Sequence, residues 1–343
     1  MGDYIKQFSL KQYFKFWGFS NKKEKYLFKG CPGVPENKIF FIKKEFDKEF
    51  VILNLTDNHF SDYDIRMPFA VEAAEVIKKL VSEVKPDLIT VTGDIVCGKS
   101  SYSSIRFFTD MMESFQVFWA PVFGNHDDET NCDLNYLAGI MMKSPHCLFA
   151  KGDPLMGVGN YIIDIAKPDG ETVERLYMID SRHSQPDYSQ MEWFNSNAKD
   201  SSAKESSVFM HIPLPDYQLA FEDATDENGK WKNGYDVIGE NHEKICCERD
   251  NKGNPVFRGF FEILSKTDGL KYVFCGHEHL NNWSLLWKGI RLTYTLKVGK
   301  GSGFRMQFNG GTVIKVGNRG IKSISHLTYR RRKFVNIAHK EFY

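Results

Sequence analysis

From residue 38 onward the apolar positions fall into short runs that switch between the two-residue period of a strand and the roughly 3.6-residue period of a helix. Lys38 to Ile42 and Phe50 to Leu55 are apolar stretches on either side of the charged segment Glu45 to Glu49, and they predict a hairpin entering a sheet. In 70–84, Val71, Ala74, Ile77, Leu80, Val81 and Val84 recur at helical spacing, and Asp87 to Thr92 is a short β-branched run. The alternation then repeats. It predicts a helix over 102–115, a strand over 117–123, a helix over 134–142 and a pair of strands at 161–165 and 176–179. A helix over 190–198, a strand at 207–210, a helix over 257–266 and a strand at 270–275 follow. Alternating strands and helices imply parallel strands with helices outside, while the chain from Trp283 onward is nearly all strand and turn. The fold class that follows is α/β, with two packed sheets between helical outer layers.

Residues 1–36 precede this pattern and read as an N-terminal extension. Its Lys11, Lys15 and Lys22, with Phe14, Phe16 and Trp17 among them, suit a solvated arm better than a membrane-surface helix. Residues 37–343 read as one domain, interrupted at about 222–255 by a polar segment without a period, either a mobile insertion or a lid. Trp231 and Tyr235 in that segment are candidates to stack on a leaving group. The run Arg330 to Lys333 reads as a terminal edge strand guarded by charge.

Composition narrows the function. Lys+Arg 45 against Asp+Glu 44 gives a formal charge of +1, so no summed field holds a nucleic acid or an anionic membrane, and neither is an expected partner. No run of about 18 apolar residues is present, and the first twenty residues lack a signal-peptide core. The seven cysteines are odd in number and carry no C-x-x-C spacing, which points to a reducing, cytoplasmic setting.

The chemistry lies where strands end. The first strand runs into Asp57-Asn58-His59, the second into Gly93-Asp94, the third into Gly124-Asn125-His126-Asp127, the fourth into His211, and the last into Gly276-His277-Glu278-His279. In an open α/β sheet the carboxyl ends of the strands share one edge, where ligands bind. Two carboxylates, several imidazoles and an amide oxygen exceed the needs of one tetrahedral zinc site and suit two ions of Mn, Fe or Zn type. Asp57 and His59 stand at i and i+2, so in an extended segment both face one way, and His277 and His279 repeat that spacing. Asp94, with Gly93 giving the backbone room, is the natural bridging carboxylate. Asn125 adds an oxygen donor without adding negative charge. Asp127 or Asp128 would either orient His126 or cap the following turn. His183 and Arg182 stand after another strand end, in a surface loop that would reach the site mouth. Gly299, Gly301, Gly303, Gly310 and Gly311 read as turn glycines rather than a phosphate cradle.

This series of motifs resembles the calcineurin-like metallophosphoesterase superfamily over roughly residues 50 to 320. The resemblance implies a four-layer αββα sandwich. It also implies one metal ion held by Asp57, His59 and His279, a second held by Asn125, His211 and His277, Asp94 bridging them, and His126 near the phosphoryl group. Phe209 to Tyr217, reading F-M-H-I-P-L-P-D-Y, is similar to a purple-acid-phosphatase-related group, but Cys97 stands where purple acid phosphatases place a tyrosine ligand. The implied activity is hydrolysis of a phosphate monoester or diester by metal-activated water, a nucleotide or cyclic-nucleotide phosphodiesterase being the nearest rival. A non-catalytic scaffold on the same fold is the rival from another class.

Overall fold

The computed structural model describes residues 39–45, 47–61, 67–98, 101–129, 132–181 and 183–343; the extension 1–36 and Arg182 lie outside them. Among the described residues fourteen strands form two sheets. The larger runs β1 (Ile39–Lys43), β5 (Tyr161–Ala166), β6 (Thr172–Met178), β7 (Glu205–Phe209), β9 (Leu270–Cys275), β11 (Ile290–Tyr294), β10 (Ser284–Trp287) and β8 (Val237–Ile238). The smaller runs β14 (Lys333–Glu341), β13 (Gly320–Arg330), β12 (Gly310–Gly317), β2 (Phe50–Leu55), β3 (Leu88–Thr92) and β4 (Phe118–Val122). Both are mixed: β2, β3 and β4 are parallel, as are β6, β7, β9 and β11, while β12 to β14 form an antiparallel meander.

Side-chain alternation explains the layering. Phe209 and Phe274 on neighbouring strands stack with ring centroids 4.8 Å apart in the core shared with the smaller sheet. Val208, Met210, Val273 and Cys275 turn the other way, into a second core. That second core is closed by α4 (Tyr188–Lys199), α5 (Asp216–Ala224) and α6 (Phe260–Ser265), through residues such as Phe194, Tyr217 and Phe261. Trp193 belongs to it as well. On the far side, α1 (Met67–Val84) and α2 (Ser101–Ser114) bury Ile77, Leu80, Ile105 and Phe108 against the smaller sheet, with α3 (Leu134–Met141) beside α2. The four layers are helix, sheet, sheet, helix.

Three expectations change. The first two strands do not form a hairpin: β1 pairs in parallel with β5 in the larger sheet, and β2 belongs to the smaller one. Period two identifies a strand and its faces but leaves the partner open, so the charged segment between them proves to be a crossing from one sheet to the other. The segment 222–255 is stitched to the fold. It contains β8, paired with β10, and the backbone N–H groups of His242 and Glu243 both donate to Asn281 Oδ1, at 2.8 and 3.1 Å. Trp231 is not free to stack on a ligand, because its indole N–H donates to the Gly239 carbonyl and its ring meets the edges of Phe221 and Trp283. Finally, Arg330 to Lys333 is a hairpin turn between β13 and β14, with Arg331 and Arg332 in the loop, rather than the body of an edge strand.

A carboxylic acid is among the polar groups buried in the interior. Glu174 on β6 is fully buried, opposite Glu205 of β7, and accepts a hydrogen bond from the Ser207 hydroxyl. Burial pushes its carboxyl well above the usual carboxylate range; the Ser207 bond opposes that rise and the nearby Glu205 adds to it. Folding therefore takes up a proton once the pH passes an unfolded pKa of about 4.3, and the stability present at or below that value is lost as pH rises toward the folded value. Glu174→Gln keeps the acceptor and removes the ionisation. We expect it to stabilise the fold at pH 7.5 by at least about 1 kcal/mol and to gain little near pH 4.5. Urea midpoints of parent and variant at both pH values check this, and an equal gain at each would refute the buried-carboxyl account.

Candidate active site

All five motifs reach one end of the sandwich. Asp57 leaves β2, Asp94 leaves β3, Asn125 and His126 leave β4, His211 leaves β7, and His277 and His279 leave β9. The loops are laced together by backbone bonds, Asp57 N to Gly93 O at 3.1 Å and His59 N to Asp94 O at 2.9 Å. The segments are not extended, contrary to the i, i+2 expectation: Asp57, His59, Asp94 and His277 all have positive φ, between 48° and 73°. Non-glycine residues in this region carry strain of about 1–3 kcal/mol each, and such strain gathers at functional sites. The side chains converge because the backbone coils, not because it runs straight.

Glycines admit this convergence. A Cβ on Gly93, which has φ 84°, would lie 2.5 Å from His211 Nδ1, and one on Gly124 would collide with the Asp94 carboxylate. Gly93 thus makes room for an imidazole as well as for its own backbone.

The donors fall into two sets around Asp94. In the first, His279 Nε2 is 3.3 Å from Asp57 Oδ1, His59 Nε2 is 3.9 Å from the same oxygen, and the two Nε2 atoms are 3.2 Å apart. Asp94 Oδ2 is 3.6 Å from His59 Nε2, so four donors lie within 4.8 Å of one another. In the second, His211 Nε2 is 3.3 Å from Asp94 Oδ2 and 3.2 Å from Asn125 Oδ1. His277 joins less closely. Its ring stands edge-on to His211 at 5.2 Å between centroids, its backbone N–H donates to Asp57 Oδ2 at 3.1 Å, and its imidazole also falls within reach of Cys246 and Glu278.

The far atoms of these rings are already committed. His279 Nδ1 donates to the carbonyls of Ser302 and Gly303, each at 2.9 Å, and His211 Nδ1 donates to Thr92 O at 2.7 Å. Both imidazoles are thereby oriented with Nε2 toward the cluster, the arrangement that metal-binding histidines take. Asp57 Oδ1 is buried with no hydrogen-bond partner among the described residues. An orphaned buried carboxylate oxygen facing two imidazole nitrogens fits a cation. Burial would lower the His211 imidazole, but the charge of Asp94 and its contact with it overcome burial and raise it to about 10. Lys297 is buried behind the first set, its Nζ 2.5 Å from Asp57 O, and burial pulls its ammonium down to about 8.

His126 stands apart. Its side chain is about a third exposed, Nε2 is 4.0 Å from Asp94 Oδ2, and its backbone N–H donates to Asp94 Oδ1 at 2.9 Å. Neither Asp127 nor Asp128 holds its ring. Asp127 accepts from Gly124 N at 2.7 Å and Val96 N at 2.8 Å, tying two loops, and Asp128 pairs with His183 at 2.7 Å on the rim. Glu129 takes the role instead, with Oε1 2.6 Å from His126 Nδ1. The Cys97 thiol donates to His59 O at 3.5 Å.

Some of this was readable and some was not. The His-x-x-Glu spacing of His126 and Glu129 was a usable signal, and so was a lysine inside the apolar run Leu292 to Val298. The carbonyls of Ser302 and Gly303 leave no side-chain signal at all.

Comparison with known proteins bears on the family and the fold. A family model described as Calcineurin-like phosphoesterase matches residues 50–281. A relative named "Probable inactive purple acid phosphatase 14" from Arabidopsis thaliana is 26% identical over 298 residues, covering 72% of this chain and 70% of that protein. "Phosphatase DCR2" from Saccharomyces cerevisiae is 29% identical over 240 residues, covering 61% of this chain and 38% of that protein. Among solved structures, a dimetal phosphatase from Danio rerio superimposes with a TM-score of 0.54 at 11% identity, over 85% of this chain and 99% of that one. At that identity the likeness concerns the fold alone.

Proposed function

The chain belongs to the calcineurin-like phosphoesterase family, and on that premise we propose that it is a dinuclear-metal phosphoesterase acting on phosphate monoesters or diesters. The observation that carries the reading is the position of Asp94 Oδ2, 3.6 Å from His59 Nε2 on one side and 3.3 Å from His211 Nε2 on the other. In this reading Asp57, His59 and His279 hold one ion, Asn125, His211 and His277 the other, and Asp94 serves both. Two such ions, of Mn, Fe or Zn type, supply Lewis acidity toward a phosphoryl oxygen and make water acidic enough to attack at neutral pH. Asn125 binds through a neutral oxygen, which spares an incoming anion one further repulsion. His126, turned to the rim by Glu129, donates a proton to the leaving oxygen or a hydrogen bond to the phosphoryl oxygens. Lys297 sits behind Asp57 and offsets part of the carboxylate charge. A reducing, cytoplasmic setting suits the free thiols among the described residues.

The second reading is a non-catalytic scaffold, favoured by the words "probable inactive" in the name of a relative. Against it stands the full donor set, with Nε2 of His211 and His279 both facing the cluster. Elemental analysis of reconstituted protein, together with turnover of para-nitrophenyl phosphate and bis-para-nitrophenyl phosphate, decides among the readings. We expect two ions per chain and hydrolysis that chelator abolishes; a preference for the bis ester would assign the diesterase. Bound metal with no turnover of either ester would sink the enzymatic reading and leave the scaffold.

A further inference from the structure

The turn between β13 and β14 has two residues, Arg331 at φ 44° and Arg332 at φ 66°. A two-residue hairpin with both φ positive is the turn that Asn-Gly fills at least cost, since any larger side chain strains there. This chain puts arginines in both places, and Arg330 and Lys333 close the turn on either side. Four consecutive cations therefore occupy a tip where the backbone favours Asn, Asp and Gly. Arg331, Arg332 and Lys333 are exposed, and among the described residues none of the three is in an ion pair.

The tip projects at the active-site end of the sandwich. Thr328 of β13 pairs with Gly310, and Thr312 pairs with Asn54 on the strand that leads into Asp57. Tyr329 N donates to Asn309 O at 2.8 Å and Arg330 Nη2 to Gln307 O at 2.7 Å, which fastens the tip to the loop 299–309. That loop holds His279 through Ser302 and Gly303, and it also carries Lys300, Phe304 and Arg305. Lys300 pairs with Glu72 at 3.5 Å. Phe304 is 41% exposed, and Phe69, on the first turn of α1 beside Gly301, is 42% exposed.

We propose that this rim docks the protein on an anionic lipid bilayer, the cations meeting headgroups while Phe69 and Phe304 enter the interface. The total charge of +1 gives no long-range attraction, and salt screens what there is beyond about 10 Å, so the contact depends on the local cluster. Clusters of about four to eight Lys/Arg are what anionic lipid surfaces attract, and exposed aromatics beside them are what the headgroup boundary takes up. A soluble polyanion would use the cations but leave both phenylalanines in water. Docked this way, the donor cluster opens toward the headgroups.

Flotation of the full chain with vesicles of phosphatidylcholine alone, or mixed with phosphatidylserine, tests this without reference to catalysis. Binding should require phosphatidylserine and weaken with salt. The double substitution Arg331→Asn, Arg332→Gly should lower the partition coefficient about tenfold or more while leaving Tm equal or higher, because Asn-Gly relieves the turn. Phe304→Ser should weaken binding with no change of charge. Absence of binding to the mixed vesicles, or undiminished binding by the double variant, overturns the proposal. So does capture by inorganic polyphosphate with Phe304→Ser behaving as the parent, which would make the rim a soluble-polyanion surface.

Discussion

Asp94→Asn is expected to empty both metal positions at once. Its Oδ2 stands between the two donor sets, and its Oδ1 receives the His126 N–H at 2.9 Å. Asparagine keeps the shape and can still accept that N–H bond, so the loops should hold while the shared charge disappears. His59 and His211 would then face an amide rather than a carboxylate. Loss of an outer partner of a metal ligand typically costs about 10–100-fold in affinity or activity, and loss of a carboxylate serving both sets should exceed that. Reconstituted variant should carry less than one ion per chain and show no turnover above background. His59→Ala is the control, since it removes one donor from the first set only and should leave one ion. Retention of two ions by Asp94→Asn would mean that the sets are independent, and the bridging role would be withdrawn.

How far the sequence carries depends on whether an interaction leaves a trace in residue type. The meeting of Asp57, His59, Asp94, Asn125, His126, His211, His277 and His279 at one edge was legible because each follows an apolar run and sheet topology brings such ends together. The layers were legible too, since runs like Leu88 to Thr92 have apolar residues on both faces and must be covered twice. Partner choice was not. Nothing in Ile39 to Lys43 distinguishes a hairpin with β2 from parallel addition to β5, because strand period fixes faces rather than neighbours. Nor was the fate of Trp231 legible. Its segment is polar and lacks a period, and only the fold reveals that Phe221 and Trp283 wait beside it. Gly299, Gly301 and Gly303 lie in a loop as read, but Gly310 and Gly311 are not turn residues: they open β12, where a Cβ on Gly310 would collide with the Leu327 carbonyl. The neighbourhood of the first three hid a function all the same, because the carbonyls of Ser302 and Gly303 orient His279, and a carbonyl is common to every residue.

His126→Ala should lower kcat by about 10²- to 10⁴-fold, the range typical of a lost general acid, with both metal ions still bound. The geometry separates this residue from the donors. Its Nε2 is 4.0 Å from Asp94 Oδ2, its ring is partly exposed, and its Nδ1 is engaged by Glu129 at 2.6 Å. A group that served the phosphoryl oxygens only in the transition state would leave KM nearly untouched when removed, because uniform binding is unchanged. Glu129→Gln supplies the second half of the test. Glutamine can still meet Nδ1 but without charge, so the imidazole stays near its place and loses its electrostatic support. The expected result is a smaller fall in kcat than for His126→Ala, again with full metal content. The double variant should be no worse than His126→Ala alone, since Glu129 has no route to the reaction except through that ring. Loss of metal in either single variant would move His126 into the donor set. Additive losses in the double variant would instead give Glu129 a role of its own at the rim, beside Asp128 and His183.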